Sequence, residues 1–138
     1  MAESQNYEEF EVFTLELARE AGKLLLQQFL KPQEVRYKSG DRRNPVTEAD
    51  TLSESYLVNA IQLRYPGHAI LGEEGVAGNL KESEYLWVLD PLDGTTNFLN
   101  KIPLFAVSIA LLHEGIPVAA AIFMPDPNRG DGTVFHAR

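Results

Sequence analysis

Asp90 and Asp93 stand three residues apart in the stretch WVLDPLDGTTNF (87–98), at the end of an apolar run and just before Gly94, Thr95 and Thr96. Two carboxylates at one bend, with the Leu92 carbonyl between them, present hard oxygen donors, the set that suits Mg²⁺. Unpaired, their like charges repel and one tends to keep a proton; a divalent cation removes that conflict. Pro91 stiffens the bend. Gly94-Thr95-Thr96 then offers backbone N–H groups at an expected helix start, where phosphate oxygens are favoured, and Gly94 leaves room for a phosphate to approach. The competing reading is a capped turn, with Asp93 as N-cap and Asp90 a solvated strand end, because turns are rich in such residues.

Further acids bear on that choice. Glu73 and Glu74 are adjacent on an expected strand, so at most one of them points into a shared site. Asp50 lies in NPVTEAD, where Thr47-x-x-Asp50 reads as a capping box and a first-turn acid favours the helix dipole. On local grounds Asp50 is therefore structural. No phosphate-binding G-x-x-x-x-G-K-[ST] loop and no G-x-G-x-x-G dinucleotide turn is present. DPNRGDG (126–132) resembles a calcium loop, but its glycine spacing is wrong and Ala137 stands where the closing Glu belongs. His68, His113 and His136 lack the spacing of a zinc site and are expected at the surface or at strand ends. The absence of cysteine excludes disulfides, thiolate catalysis and zinc–thiolate sites, and fits a reducing compartment.

The elements that position these residues follow from periodicity. Apolar residues at Phe10, Phe13, Leu17, Ala21, Leu24 and Leu25 predict an amphipathic helix over about 6–30, stopped by Pro32. A basic loop or hairpin spans 35–45. A second helix is expected over about 48–65, capped by Thr47 and ended by Pro66-Gly67. Short apolar strands are expected over 68–75 and 84–90, each ending in acids, where open sheets often place their chemistry. Residues 104–124 have a membrane-spanning length, but His113, Glu114, Gly115 and Pro117 at their centre predict two strands and a tight turn instead. A loop over 125–132 and a last strand follow. Two helices and then strands predict helices packed on a sheet, in one domain of 138 residues. The second face of so apolar a hairpin has nothing to cover it, which a dimer or a further C-terminal half would supply. A net charge of -8 argues against nucleic acid and anionic membranes as partners. The N-terminus has no secretory pattern, so a cytoplasmic location is expected.

Together, NPVTEAD, GEEG and WVLDPLDGTTNF resemble the first half of the inositol monophosphatase family, and the likeness runs from the first helix to VFHAR. These are Mg²⁺-dependent, typically lithium-sensitive phosphomonoesterases. The resemblance implies an α/β fold, the N-terminal part of a layered α/β/α/β/α sandwich with two helices on a mostly antiparallel sheet, and a homodimer. It implies Glu73, Asp90 and the Leu92 carbonyl at a first metal, with Asp90 and Asp93 at a second. A complete site holds two or three Mg²⁺, for which Mn²⁺ can substitute. Thr95 paired with Asp50 would orient and help deprotonate the attacking water, which reverses the local reading of Asp50. The Gly94 and Thr95 backbone would hold the phosphate, with Asp93, Glu73 and Lys38 also at the substrate and Glu74 in a less direct role.

The implied reaction is in-line hydrolysis of inositol monophosphate or a related small sugar phosphate, without a phosphoenzyme. Fructose 1,6-bisphosphate, histidinol phosphate and adenosine bisphosphate are alternative substrates. A fragment that binds metal and phosphate without turnover is the alternative function. The family's later W-D-x-A-A block, whose aspartate completes the second metal site, has no counterpart here, since Trp87 is the sole tryptophan. Residues 1–138 are therefore expected to be the N-terminal region of a longer, truncated phosphatase whose C-terminal half is absent.

Overall fold

The computed structural model describes residues 6–43, 45–73 and 75–138. Helix α1 (Glu8–Phe29) buries Leu17, Ala18, Ala21 and Leu25 along one stripe, and Glu8, Glu9 and Glu11 in its first turn favour the dipole. Gly22 lies on the same stripe. A Cβ there would come 2.4 Å from the Phe123 ring, so glycine is what lets α1 sit flat on the sheet. Helix α2 (Glu48–Arg64) buries Ala49, Asp50, Ser53, Leu57 and Ile61 at helical spacing. The expected hairpin is a two-stranded pair, β1 (Val35–Tyr37) and β2 (Pro45–Thr47), which delivers the chain straight into α2.

The main sheet has six strands in the order β4-β3-β5-β6-β7-β8. These are β3 (Ala69–Gly72), β4 (Gly75–Ala77), β5 (Tyr85–Asp93), β6 (Ala106–His113), β7 (Ile116–Asp126) and β8 (Asp131–Ala137). Among the described residues only β3 and β5 pair in parallel, and the other pairings are antiparallel. Both long helices lie on one face, over a core that includes Trp87, Val107, Ile109, Leu111 and Phe123. On the other face Val88, Ala110 and Leu112 are part-exposed, while Ile122, Met124 and Phe135 are exposed. Among the described residues no helix covers that second face.

The structure departs from the sequence reading at several boundaries. The strand expected over 84–90 continues to Asp93, because a bulge lets pairing with β6 resume past Pro91. The expected loop 125–132 shrinks to a tight turn, since β7 and β8 stay paired as far as Asp126 and Asp131. Strand β4 was not foreseen: three residues opening on a positive-φ glycine give no periodicity to read. The hairpin turn at Glu114-Gly115 is as expected, with φ of 49° and 82°, the left-handed pair that two-residue hairpins require. No helix of the described residues is long and apolar enough to cross a membrane.

Candidate active site

The three-residue spacing of Asp90 and Asp93 is explained by the bulge. In a regular strand, residues three apart face opposite ways. Here Asp90 pairs with Ser108 and Asp93 with Ala106, two residues apart on β6, so one extra residue on β5 returns both aspartates to the same face. Pro91 sits inside the bulge, where its missing N–H forfeits no ladder bond. The buried Ser53 hydroxyl of α2 donates to the Pro91 carbonyl at 2.7 Å and ties the bend to the helix. Gly94 follows with φ 84°, and a Cβ there would stand 2.9 Å from the Leu104 carbonyl, so the turn into the short helix α3 (Thr95–Leu99) requires glycine twice over.

Asp90 is the electrostatic focus. Burial, first, and then the charges of Glu73 and Asp93 push its carboxyl up to about 6, against a hydrogen bond from the Leu92 N–H; Asp50 adds a smaller repulsion. Its Oδ1 is buried without a hydrogen-bond partner among the described residues. Buried carboxylate oxygens are rarely left this way.

Asp50 serves two partners at once. Its Oδ2 accepts from the Thr47 N–H at 2.8 Å and from the Thr47 hydroxyl at 2.5 Å, while its own N–H donates to Thr47 Oγ1 at 3.3 Å. The expected capping box is therefore present. Its Oδ1 is left to accept from the Thr95 hydroxyl at 3.0 Å, and that hydroxyl also lies 3.3 Å from the Leu92 carbonyl. The structural and functional readings of Asp50 are thus compatible, because one oxygen caps the helix and the other reaches Thr95.

Lys38, just after β1, places its ammonium 3.3 Å from Glu73 Oε2. Glu73, Lys38, Asp90, Leu92, Asp93, Gly94 and Thr95 line one cleft of about 380 Å³. Arg43, Thr96 and Asn97 line it too and were not singled out from sequence. Nor was Ser53, although its place one turn beyond Asp50 on the buried stripe of α2 was readable. Glu74 lies outside the described residues. Among the described residues no three acidic or histidine side chains converge as a metal cluster by themselves. Leu92 lines the cleft together with Asp90, and Glu73 is held by Lys38.

The histidines lie elsewhere and at strand ends, as expected: His113 closes β6, His136 lies near the end of β8, and His68 directly precedes β3. His68 is part-buried and stacked between Tyr65 and Tyr85 at 4.7 and 4.5 Å, and its Nδ1 accepts from the Trp87 indole N–H at 3.0 Å. His113 extends the stack on Tyr85 at 4.4 Å. This column joins the start of β5, far along the strand from Asp90.

The sequence profile of the inositol monophosphatase family matches residues 6–138. A curated relative from Pseudomonas aeruginosa, named Nus factor SuhB, is 39% identical over 132 residues, covering 90% of this chain and 49% of its own. Inositol monophosphatase 3 of Solanum lycopersicum is 36% identical over 128 residues, covering 91% and 47%. The solved Thermotoga maritima IMPase superposes with a TM-score of 0.78 at 27% identity, over 94% of this chain and 48% of that one. The chain spans about half the length of the curated relatives it matches.

Proposed function

The chain belongs to the inositol monophosphatase family, and from that premise we propose that it bears the metal-binding and water-activating half of a Mg²⁺-dependent phosphomonoesterase acting on inositol monophosphate or a related small sugar phosphate. The observation that carries this reading is the buried, unpartnered Oδ1 of Asp90, in a carboxyl pushed up to about 6. A buried carboxylate oxygen without a hydrogen-bond partner among the described residues, in a cleft also lined by Glu73, Leu92 and Asp93, fits a hard divalent cation. The Lys38 ammonium pairs with Glu73 at 3.3 Å at the edge of the same cleft. Glu73, Asp90 and the Leu92 carbonyl would hold one ion, and Asp90 with Asp93 a second.

Bound there, Mg²⁺ supplies positive charge that polarises the phosphoryl group and acidifies a water. The chain's own residues do the rest. Thr95 Oγ1 accepts a hydrogen bond from the attacking water and donates to Asp50 Oδ1, giving the proton a path to a carboxylate. The capping box fixes Asp50 through its other oxygen, so the proton acceptor does not rotate away. The backbone N–H groups of Gly94 and Thr95 would hold the phosphate oxygens, and Lys38, which lines the same cleft, would add a positive charge at the substrate.

A second reading is a chain that binds metal and phosphate without turnover. The absence of a three-acid cluster among the described residues favours it. Calorimetric titration of Mg²⁺ and Mn²⁺, with and without inorganic phosphate, tests the shared claim. Heat of binding that vanishes in Asp90→Asn supports the site, and no binding by the folded chain removes both readings.

A further inference from the structure

Resting on the proposed metal site, we infer that Ser53 is a positioning residue: it sets the Pro91–Leu92 peptide so that Asp90 keeps one oxygen open for a cation. A serine inside a helix usually bonds its own i−4 carbonyl or faces water. Ser53 is fully buried and instead donates, at 2.7 Å, to the Pro91 carbonyl, 38 residues along the chain. That carbonyl needs a partner. Asp90 pairs with Ser108 and Asp93 with Ala106, so Pro91 and Leu92 lie in the bulge, outside the paired positions of β6. Pro91 is buried there, and a buried carbonyl without a donor is costly.

The same peptide unit has a second end. Its C=O belongs to Pro91 and its N–H to Leu92, and a planar trans peptide points the two in opposite directions. The Leu92 N–H donates to the Asp90 carboxyl. Ser53 therefore reaches Asp90 through one rigid group. Accepting from Ser53 polarises the amide and strengthens its N–H as a donor. With Leu92 holding the carboxyl in one orientation, Oδ1 is left buried and unpartnered among the described residues. Asp50 lies three residues earlier on α2, and its Oδ1 accepts from the Thr95 hydroxyl at 3.0 Å. Three residues of helix span about 4.5 Å along the axis, so one rigid element fixes both the aspartate bend and the Thr95 hydroxyl. Released from Ser53, the bulge is free to turn its peptide, and Asp90 loses its fixed orientation.

Calorimetric titration of the full chain with Mn²⁺, alongside circular dichroism and thermal unfolding, tests this. Ser53→Ala removes the hydroxyl, and Ser53→Cys fills the same space with a weak donor, so the two separate the bond from the packing. Each should weaken Mn²⁺ binding about 10–100-fold, as loss of an orienting partner behind a ligand does, with the wild-type dichroism kept. Thr14→Val removes another fully buried hydroxyl, one that donates to the Phe10 carbonyl within α1 at 2.6 Å. It should bind Mn²⁺ as wild type does, even where its unfolding midpoint falls. A folded Ser53→Ala with wild-type affinity overturns the inference, as does a Thr14→Val that loses as much affinity as the Ser53 variants. Binding that is lost in Asp90→Asn but kept in both Ser53 variants removes the role of Ser53 and leaves the metal site standing. No Mn²⁺ binding by the folded wild-type chain removes both.

Discussion

Asp90 concentrates the conflict on which the site depends. A carboxyl that burial and two neighbouring carboxylates push to about 6 holds its proton far better than an ordinary aspartate. The folded state therefore binds this proton more tightly than the unfolded chain does. In the metal-free protein the associated stability is fully present below the unfolded value of about 3.9 and is lost as pH rises through about 6. A divalent cation competes for the same oxygens. Below pH 6 it must displace the proton, so Mg²⁺ affinity should fall, approaching about tenfold per pH unit. Calorimetric titrations at pH 7.5, 6 and 5 check this, and an affinity flat across that range would remove Asp90 from the ligand set. The acid was singled out in the sequence, but the residues alone left a capped turn open, and the family resemblance of D-P-L-D-G-T-T chose the metal-binding reading. The orphaned oxygen of Asp90 was not legible there, since burial of one carboxylate oxygen is set by the bulge and by neighbours far away in the chain.

At the scale of elements, the site rests on two devices, the β5 bulge and the Gly94 turn. Periodicity revealed the two helices to within a residue or two, because their stripes are long and their caps lie in the sequence as Thr47 and Pro66-Gly67. It placed the end of β5 at Asp90, since a proline following an acid reads as a stop. Only the partner strand shows that pairing resumes at Asp93. The capping box was legible from Thr47 and Asp50, whereas the reach of Asp50 to Thr95 spans 45 residues and was implied by family resemblance alone. Gly94 tests the turn. Gly94→Ala adds a Cβ 2.9 Å from the Leu104 carbonyl at a φ of 84°. Thermal or urea unfolding should show a loss of about 1–3 kcal/mol. Unchanged stability would mean that the turn relaxes freely and does not fix Thr95 against Asp50.

For the whole molecule, the sheet carries chemistry at one end and a ring stack at the other. The Trp87 indole can only donate, so the Nδ1 of His68 must be bare and the imidazole neutral. Burial lowers the pKa of His68 from its ordinary value. The unfolded chain therefore takes up this proton first as pH falls, and stability drains away as pH drops through and below about 6.5. Urea midpoints at pH 7.5 and 5.5 should show an acid loss that shrinks in His68→Phe, which keeps a stacking ring and cannot titrate. An equal loss in the variant would assign the acid sensitivity elsewhere. The stack was not legible in the sequence, because Tyr65, His68, Tyr85 and His113 meet only when β3, β5 and β6 align.

The most direct test of the phosphatase reading is Mg²⁺-dependent release of phosphate from myo-inositol 1-phosphate by the full chain and by Asp90→Asn. The account predicts release by the first, at least about 100-fold less from the second. A folded chain that binds Mg²⁺ yet releases no phosphate would contradict it.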